Sequence, residues 1–351
     1  VAKKDNSFRA KTGTLKHVPL TSATQGITRV RRGKGFSYHY RGKPVRSASL
    51  LNRIRALAIP PAWAHVWICP SANGHLQATG VDAAGRKQYR YHPLWVNKRS
   101  QKKYDRLLQF GYGLPALRRQ VSHDLRDKEW NERKVIAIAI RLLECSHIRP
   151  GNPEYEKRYH SFGLSTLRDD HVKIGNGKMT LTFRGKKGIM QQQSIRDKHL
   201  IRLIRSCREL PGKKLFQYYT PAGNRRSITS TLVNQYIQEA CGENFSAKDF
   251  RTWAGSIYAL DFLLSKSATP SNDSPAQDLK SMLLHVSSRL GNTASICHGY
   301  YIHPVILEYY KEKNCLTLIR PARAGVLFGK NSLSSLEKTF LRLLKKKRKT
   351  D

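Results

Sequence analysis

The sequence predicts an α+β protein made of a small β-rich domain followed by a larger, mainly α-helical one. Three observations carry that expectation. The chain has 351 residues, more than the roughly 100–200 that one domain usually takes, and 39% of them are hydrophobic, enough to build cores. Between Ile27 and Pro93 short alternating segments are punctuated by Gly, Pro and Asn, the pattern of strands and turns. Past His92 the apolar spacing becomes helical and stays so, with one β interlude.

The first 24 residues are polar, basic and aperiodic, and are expected to form a flexible arm. FSYHY alternates as a strand does, RGKP is a turn, and SLLNRIRALAI has helical spacing until Pro60 and Pro61 stop it. HVWICP, GHLQATGVD and KQYRYHP are strands bounded by Gly, Asn and Pro. Two helices follow, QKKYDRLLQFGYGLPALRRQVSHDL and EWNERKVIAIAIRLLECSHI; the second is apolar along its whole middle and must be buried. A three-stranded antiparallel meander comes next, HVKI, MTLTF and IMQQQSI, turning at Gly175-Asn176-Gly177 and at 184–188. Helices are expected again at 196–210 and 230–240, then from a cap at Ser246 and Asp249 through Trp253 and Tyr258. AQDLKSMLLHVSSRL ends at Gly291, and a short helix stops before Pro304. From Lys330 one amphipathic segment leads into KKKRK, expected as a solvated or DNA-tethering end. The expected divisions are an arm (1–24), a β-rich domain (25–95), a mainly α domain (96–320) and a basic tail (321–351).

Sixty-four Lys and Arg face 24 Asp and Glu, a formal net charge of +40. Such a charge on a folded chain calls for a polyanion, and nucleic acid fits because its condensed counterions are released on binding. A membrane partner is not expected: no apolar run approaches the ~18–20 residues of a spanning helix, and no long basic amphipathic helix or lipidation motif is evident. No Sec-type leader is apparent, and six scattered cysteines without a CxxC pair suit a reducing cytoplasm. Neither metal nor nucleotide cofactor is expected. Asp169-Asp170 is the only acidic doublet in a basic neighbourhood, the His and Cys lack zinc spacing, and there is no GxxxxGK[ST] loop.

Chemistry on a phosphodiester without metal needs a side-chain nucleophile, cations on the non-bridging oxygens and an acid for the leaving 5′ oxygen. Five blocks carry such residues: IPPAWAHVWICPSANGHLQATGVDAAGRKQYRYHP (59–93), HIRPGNPEYEKRYHSFGLSTLRDDHV (147–172), FRGKKG (183–188), AKDFRTWAG (247–255) and LGNTASICHGYYIHP (290–304). In this order they resemble type IB DNA topoisomerases of the small, poxvirus-like bacterial branch, over roughly residues 25–310.

The resemblance implies a C-shaped two-domain clamp on double-stranded DNA, acting as a monomer in a bacterial cytoplasm and nucleoid, without metal or ATP. It implies relaxation of positive and negative supercoils by cutting one strand, rotating it and resealing it through a 3′-phosphotyrosyl intermediate. Arg149 matches the first catalytic arginine of the family, Arg251 the second, and Lys186 the general acid, with Lys187 beside it as a competitor. Asn292 stands where poxvirus enzymes carry His; it can donate to a phosphate oxygen but cannot gain a charge. Tyr301, nine residues further on, matches the nucleophile, with Tyr300 as its competitor. Arg149 and Arg251 should favour its phenolate. Gln88, Tyr89 and Tyr91 match a strand that meets the major groove, and Tyr155 a phosphate contact. Two other readings stand beside this one. Tyrosine recombinases share an Arg-Lys-Arg-Tyr set but usually carry His three residues before the second arginine, where this chain has Lys248. A non-enzymatic architectural DNA-binding protein would have no need of all five catalytic positions.

Overall fold

The computed structural model describes residues 14–18, 25–242, 245–267, 274–311 and 327–350. It is α+β, and the chain divides into two compact units, Val1–Lys103 and Tyr104–Asp351. The division falls after Lys103, whereas the sequence placed it after residue 95. The first turns of helix α2 (Pro93–Asp124) thus belong to the first unit, where Trp95 meets His75 edge-on at 4.7 Å.

The first unit is an antiparallel sheet of six strands, β1 (Ile27–Arg32), β2 (Gly35–Tyr40), β3 (Lys43–Pro44), β4 (Ala64–Ile68), β5 (Leu76–Val81) and β6 (Lys87–Tyr91). Their order is β3-β2-β1-β4-β5-β6, which leaves β6 at an edge. Helix α1 (Ala48–Ala56), capped by Ser47, lays Ile54 on a core of Ile27, Val66, Ile68 and Ala78. Part of the positive charge is used internally. Arg29 donates to the carbonyls of Ile59, Pro60 and Trp63, and Arg53 to the carbonyl of Cys69 and the side chain of Gln77. Of the expected arm, Lys16 bridges to Gly74 through backbone hydrogen bonds with Asn73 and His75. Residues 1–13 and 19–24 lie outside the described residues.

The second unit is built around α3 (Glu132–Ser146), whose run from Val135 to Ile140 is wholly buried, as its unbroken apolar text requires. Around it lie α4 (Pro153–Tyr159), the meander β7 (Val172–Gly175), β8 (Lys178–Arg184) and β9 (Met190–Ile195), then α5 (Lys198–Glu209). A small hairpin, β10 (Gln217–Tyr219) with β11 (Arg225–Ser227), precedes α6 (Ser230–Cys241), α7 (Ala247–Ser267) and α8 (Pro275–Leu290). The last helices are α9 (Ala294–Tyr300), α10 (Pro304–Lys311) and α11 (Ser335–Thr350). The β7–β8 turn pairs Gly175 with Lys178 and puts Asn176 and Gly177 at φ 50° and 69°, the left-handed pair that a two-residue hairpin demands.

The basic end departs from expectation. Residues 321–326 lie outside the described residues, but from Ser335 the chain is a helix that buries Leu336, Phe340, Leu341, Leu343 and Leu344 in the core of the second unit. Phe340 meets Trp253 of α7 at 5.1 Å. Ser334 and Glu337 cap α11 reciprocally. The fully buried Glu337 carboxylate also accepts from Arg118 of α2 at 2.7 Å and from the Trp253 indole at 3.0 Å. Glu144 takes the remaining Arg118 Nε–H at 2.9 Å. Lysines on the polar face hide the apolar stripe from a reading of composition. Only the i, i+4, i+7, i+8 spacing of residues 336, 340, 343 and 344 reveals it.

Removing Glu337 leaves Arg118 its Glu144 partner but strips the acceptor from both terminal guanidinium nitrogens and from the Trp253 indole, and Glu337→Ala is expected to cost about 3–5 kcal/mol in denaturant unfolding. Lys347→Ala, which breaks a pair to the half-exposed Glu308, should cost less than about 1 kcal/mol. Equal effects from the two would show that α11 is not anchored through its buried acid.

Candidate active site

Helix α3 ends on His147, whose φ of 51° turns the chain out of the helix and delivers Arg149 two residues later. Loop 161–165 fixes that exit. Leu164 and Ser165 donate their amides to the carbonyls of Arg149 and Pro150 at 2.8 and 2.9 Å. The two backbones cross so closely that a Cβ at Gly163 would lie 2.6 Å from the Arg149 carbonyl oxygen. From the same loop, Phe162 donates to the Arg184 carbonyl at 2.8 Å and the Ser161 hydroxyl to that of Gly185 at 3.1 Å. One loop therefore holds both the backbone of Arg149 and the start of the turn that carries Lys186.

Arg251 enters from α7 and is 3% exposed. Its Nη1 donates to the His147 carbonyl and its Nη2 to the Leu290 carbonyl at 2.7 Å. Those carbonyls are the C-terminal ends of α3 and α8, where helix dipoles place partial negative charge. Its Nε is buried and has no hydrogen-bond partner among the described residues. Asn292 follows the α8 cap Gly291 and accepts from Arg149 through Oδ1. That bond orients the amide, and the buried Nδ2 is again without a partner among the described residues.

Tyr301 caps α9, half-buried, with its ring centroid 5.1 Å from the Arg251 guanidinium carbon. Helix α7 makes that approach possible. A Cβ at Gly255 would lie 2.6 Å from the Tyr301 carbonyl oxygen and 3.0 Å from its Cβ. The Ser256 hydroxyl, fully buried, donates to the Thr252 carbonyl at 2.9 Å, lies 3.4 Å from that of Tyr301 and accepts the His303 amide at 3.0 Å. Tyr300, the last residue of α9, is 50% exposed.

Electrostatically the cluster is one-sided. Among the described residues no carboxylate pairs with Arg149 or Arg251. Burial, and then repulsion from Arg251, depress the Arg149 guanidinium, although an arginine stays charged. Burial pushes the Cys297 thiol up to about 11 despite both arginines nearby. Burial and Arg251 drive His147 down to about 3, so it is neutral at working pH; its Nε2 pairs with the Tyr258 hydroxyl at 3.0 Å. A cluster with one buried and one half-buried arginine, two unpaired donors and a tyrosine is suited to receive an anion. Among the described residues no group of three or more His, Cys, Asp or Glu is placed to hold a metal ion.

Four of the five expected catalytic residues thus meet: Arg149, Arg251, Asn292 and Tyr301. Lys186 stands apart, exposed at the β8–β9 turn, and no hydrogen bond joins it to the other four. In the first unit Tyr89 and Tyr91 share one face of edge strand β6, stacked at 6.0 Å and well exposed. Gln88 is engaged by Asp82, to which it donates at 2.8 Å. Tyr155, on α4, is 49% exposed and packs on Tyr159. Sequence reading missed His147, Gly255 and Ser256. A signal was present, because Gly and Ser inside a helix cost stability and their pairing in TWAGS points to a close approach.

Residues 86–315 match the family described as the catalytic core of eukaryotic DNA topoisomerase I, which places the chain among DNA topoisomerases. Residues 35–82 match the N-terminal domain of bacterial DNA topoisomerase IB. The DNA topoisomerase 1B of Acanthamoeba polyphaga mimivirus is 32% identical over 296 residues, covering 82% of this chain and 88% of that protein. The DNA topoisomerase I of Monkeypox virus is 22% identical over 244 residues, covering 68% and 74%. The chain belongs to the type IB DNA topoisomerase family, ATP-independent isomerases that relax supercoiled DNA by transient cleavage of one strand. A solved XerH site-specific recombinase, in a post-cleavage complex with a palindromic difH substrate, aligns at a TM-score of 0.37 and 14% identity. It covers 56% of this chain and 49% of that one, and so weak a likeness carries no weight.

His147 gives this domain a pH dependence whose sign is fixed. Its folded value is about 3 and its unfolded value about 6.5, so acid favours the unfolded chain from pH 6.5 downward. Between pH 6.5 and 5 this one group should remove about 2 kcal/mol, at roughly 1.4 per pH unit. His147→Asn, which tolerates the left-handed backbone, should flatten the decline measured by urea unfolding by that amount. An unchanged slope would mean that His147 is not held neutral.

Proposed function

We propose that Tyr301 is the nucleophile of this topoisomerase, that Arg149, Arg251 and Asn292 hold the scissile phosphate, and that Lys186 protonates the leaving strand. One observation supports the reading above the others. Two buried donors, Arg251 Nε and Asn292 Nδ2, lack partners beside a tyrosine and two arginines that no carboxylate neutralises among the described residues. Non-bridging phosphate oxygens supply both the missing acceptors and the missing negative charge.

In the forward step the Tyr301 oxygen attacks phosphorus, its phenolic proton passing to water, and the bond from phosphorus to the 5′ oxygen breaks. Lys186 donates a proton to that oxygen, leaving a 5′-hydroxyl and a 3′-phosphotyrosyl bond. The arginines and Asn292 tighten on the oxygens as charge builds in the pentacovalent state. Religation is the reverse, with the 5′-hydroxyl attacking and Tyr301 leaving. One phosphodiester replaces another of similar energy, so torsional strain in the DNA drives the net change. Tyr301 rather than Tyr300 is favoured because its ring lies beside Arg251, whereas Tyr300 is half exposed and lies near Tyr104.

The substrate in this reading is double-stranded DNA. The exposed Tyr89–Tyr91 pair and Gln88 on the edge strand meet the groove, and Tyr155 meets a phosphate. Arg149, Arg251, Asn292 and Tyr301 come from a single chain, which supports action as a monomer. A +40 chain working on genomic DNA belongs with the bacterial nucleoid.

Plasmid relaxation in EDTA and without ATP tests the assignment. Wild type should relax both signs of supercoil, Tyr301→Phe neither, and Tyr300→Phe should stay within a few-fold of wild type. Arg251→Ala and Arg149→Ala should each slow cleavage about 10²–10³-fold, the typical cost of a lost transition-state donor. Relaxation by Tyr301→Phe would move the nucleophile elsewhere.

A further inference from the structure

We infer that Gln191 is a positioning residue for the general acid, a spacer that sets the turn carrying Lys186 against the cap carrying Asn292. The inference rests on Lys186 acting as that acid. An exposed lysine has a long side chain with much rotamer freedom to lose, so a fixed proton delivery needs a fixed backbone beneath it. The turn is well defined: Gly185 donates to the Ile189 carbonyl at 2.8 Å, and Gly188 to that of Gly185 at 3.0 Å. Loop 161–162 holds one side of it, as described above. Gln191 holds the other.

Gln191 lies opposite Phe183 in the β8–β9 ladder and, alone in the run Gln191-Gln192-Gln193, is buried. Its Cγ would lie 2.8 Å from a Cβ at Gly185, the residue before Lys186. Its Oε1 occupies the space that a Cβ at Gly291, the residue before Asn292, would need. The side chain is thus wedged between two glycines, each one step from a residue with an assigned task. Its one hydrogen bond, from Nε2 to the Met190 carbonyl, is long at 3.4 Å, so volume rather than polarity does the spacing.

This matters because Asn292 and Lys186 must serve one phosphorus at once, the first on a non-bridging oxygen and the second on the leaving oxygen. Proton transfer requires a heavy-atom distance of roughly 2.6–3.2 Å. Emptying the space at Gln191 lets the turn move relative to the bound phosphate. The loss then falls on leaving-group protonation alone.

The test uses the full chain and duplex oligonucleotides in single-turnover cleavage. One substrate has the natural 5′ oxygen at the scissile phosphate and the other a bridging sulfur, whose thiolate leaves without a proton. Gln191→Ala should cleave the oxygen substrate roughly 10–100-fold more slowly at saturating DNA, the range expected for about 1 Å of misplacement. On the sulfur substrate it should match wild type, and Gln191→Met, which keeps the volume, should be near wild type on both. A deficit of Gln191→Ala that persists with sulfur, or an undiminished rate with oxygen, would overturn the inference. So would Gln191→Met failing as badly as Gln191→Ala. Lys186→Ala is the separate control for the underlying reading, since its loss should also be restored by sulfur. If it is not, Lys186 is not the acid, whatever Gln191 does.

Discussion

The site depends on burying a guanidinium without neutralising it. Arg251 is almost fully enclosed, yet no carboxylate pairs with it among the described residues. Instead its two terminal nitrogens rest on backbone carbonyls at the ends of α3 and α8. Dipolar oxygens with partial negative charge offset desolvation and leave the formal positive charge uncancelled. The same arrangement brings together three helices, since Arg251 stays in place only while α3, α7 and α8 converge. Tyr301 follows from that convergence, because Gly255 and Ser256, one turn beyond Arg251 and Thr252, seat its backbone against α7.

Arg118 shows the other way to bury an arginine. Glu144 and Glu337 enclose it, and the three form a closed structural network behind α7, joined by the indole of Trp253. One unit thus contains a neutralised arginine that fixes α2, α3 and α11 together, and a pair of arginines that no carboxylate neutralises among the described residues. The distinction is one of partners, not of burial, and it separates scaffold from site more sharply than exposure does. It also shows how a chain of +40 distributes its charge. Arg29, Arg53 and Arg251 set theirs against backbone carbonyls and Arg118 against acids, while Arg149 meets the amide of Asn292.

Much of this was legible in the amino-acid order because the physics is local. The apolar stretch 135–140 lies within a longer helical pattern and so forms a buried helix, and Gly-Asn-Gly between alternating segments forms a tight turn. The four clustered residues were readable through ordered motifs, each held at a fixed offset from a helix end or cap. What escaped depends on contacts distant in sequence. Glu337 looks like one more charge in a basic tail until Arg118, more than two hundred residues earlier, is placed against it. Gly255 and Ser256 look like weak points of a helix until the Tyr301 backbone lies on them.

The most direct test is to trap the covalent intermediate on a duplex whose downstream fragment, bearing the new 5′-hydroxyl, dissociates, then identify the modified peptide by mass spectrometry. The account predicts a single adduct, a 3′-phosphate ester on Tyr301, formed in the presence of EDTA and absent from Arg251→Ala on the same timescale. An adduct on Tyr300, or full-rate adduct formation without the Arg251 guanidinium, would contradict it.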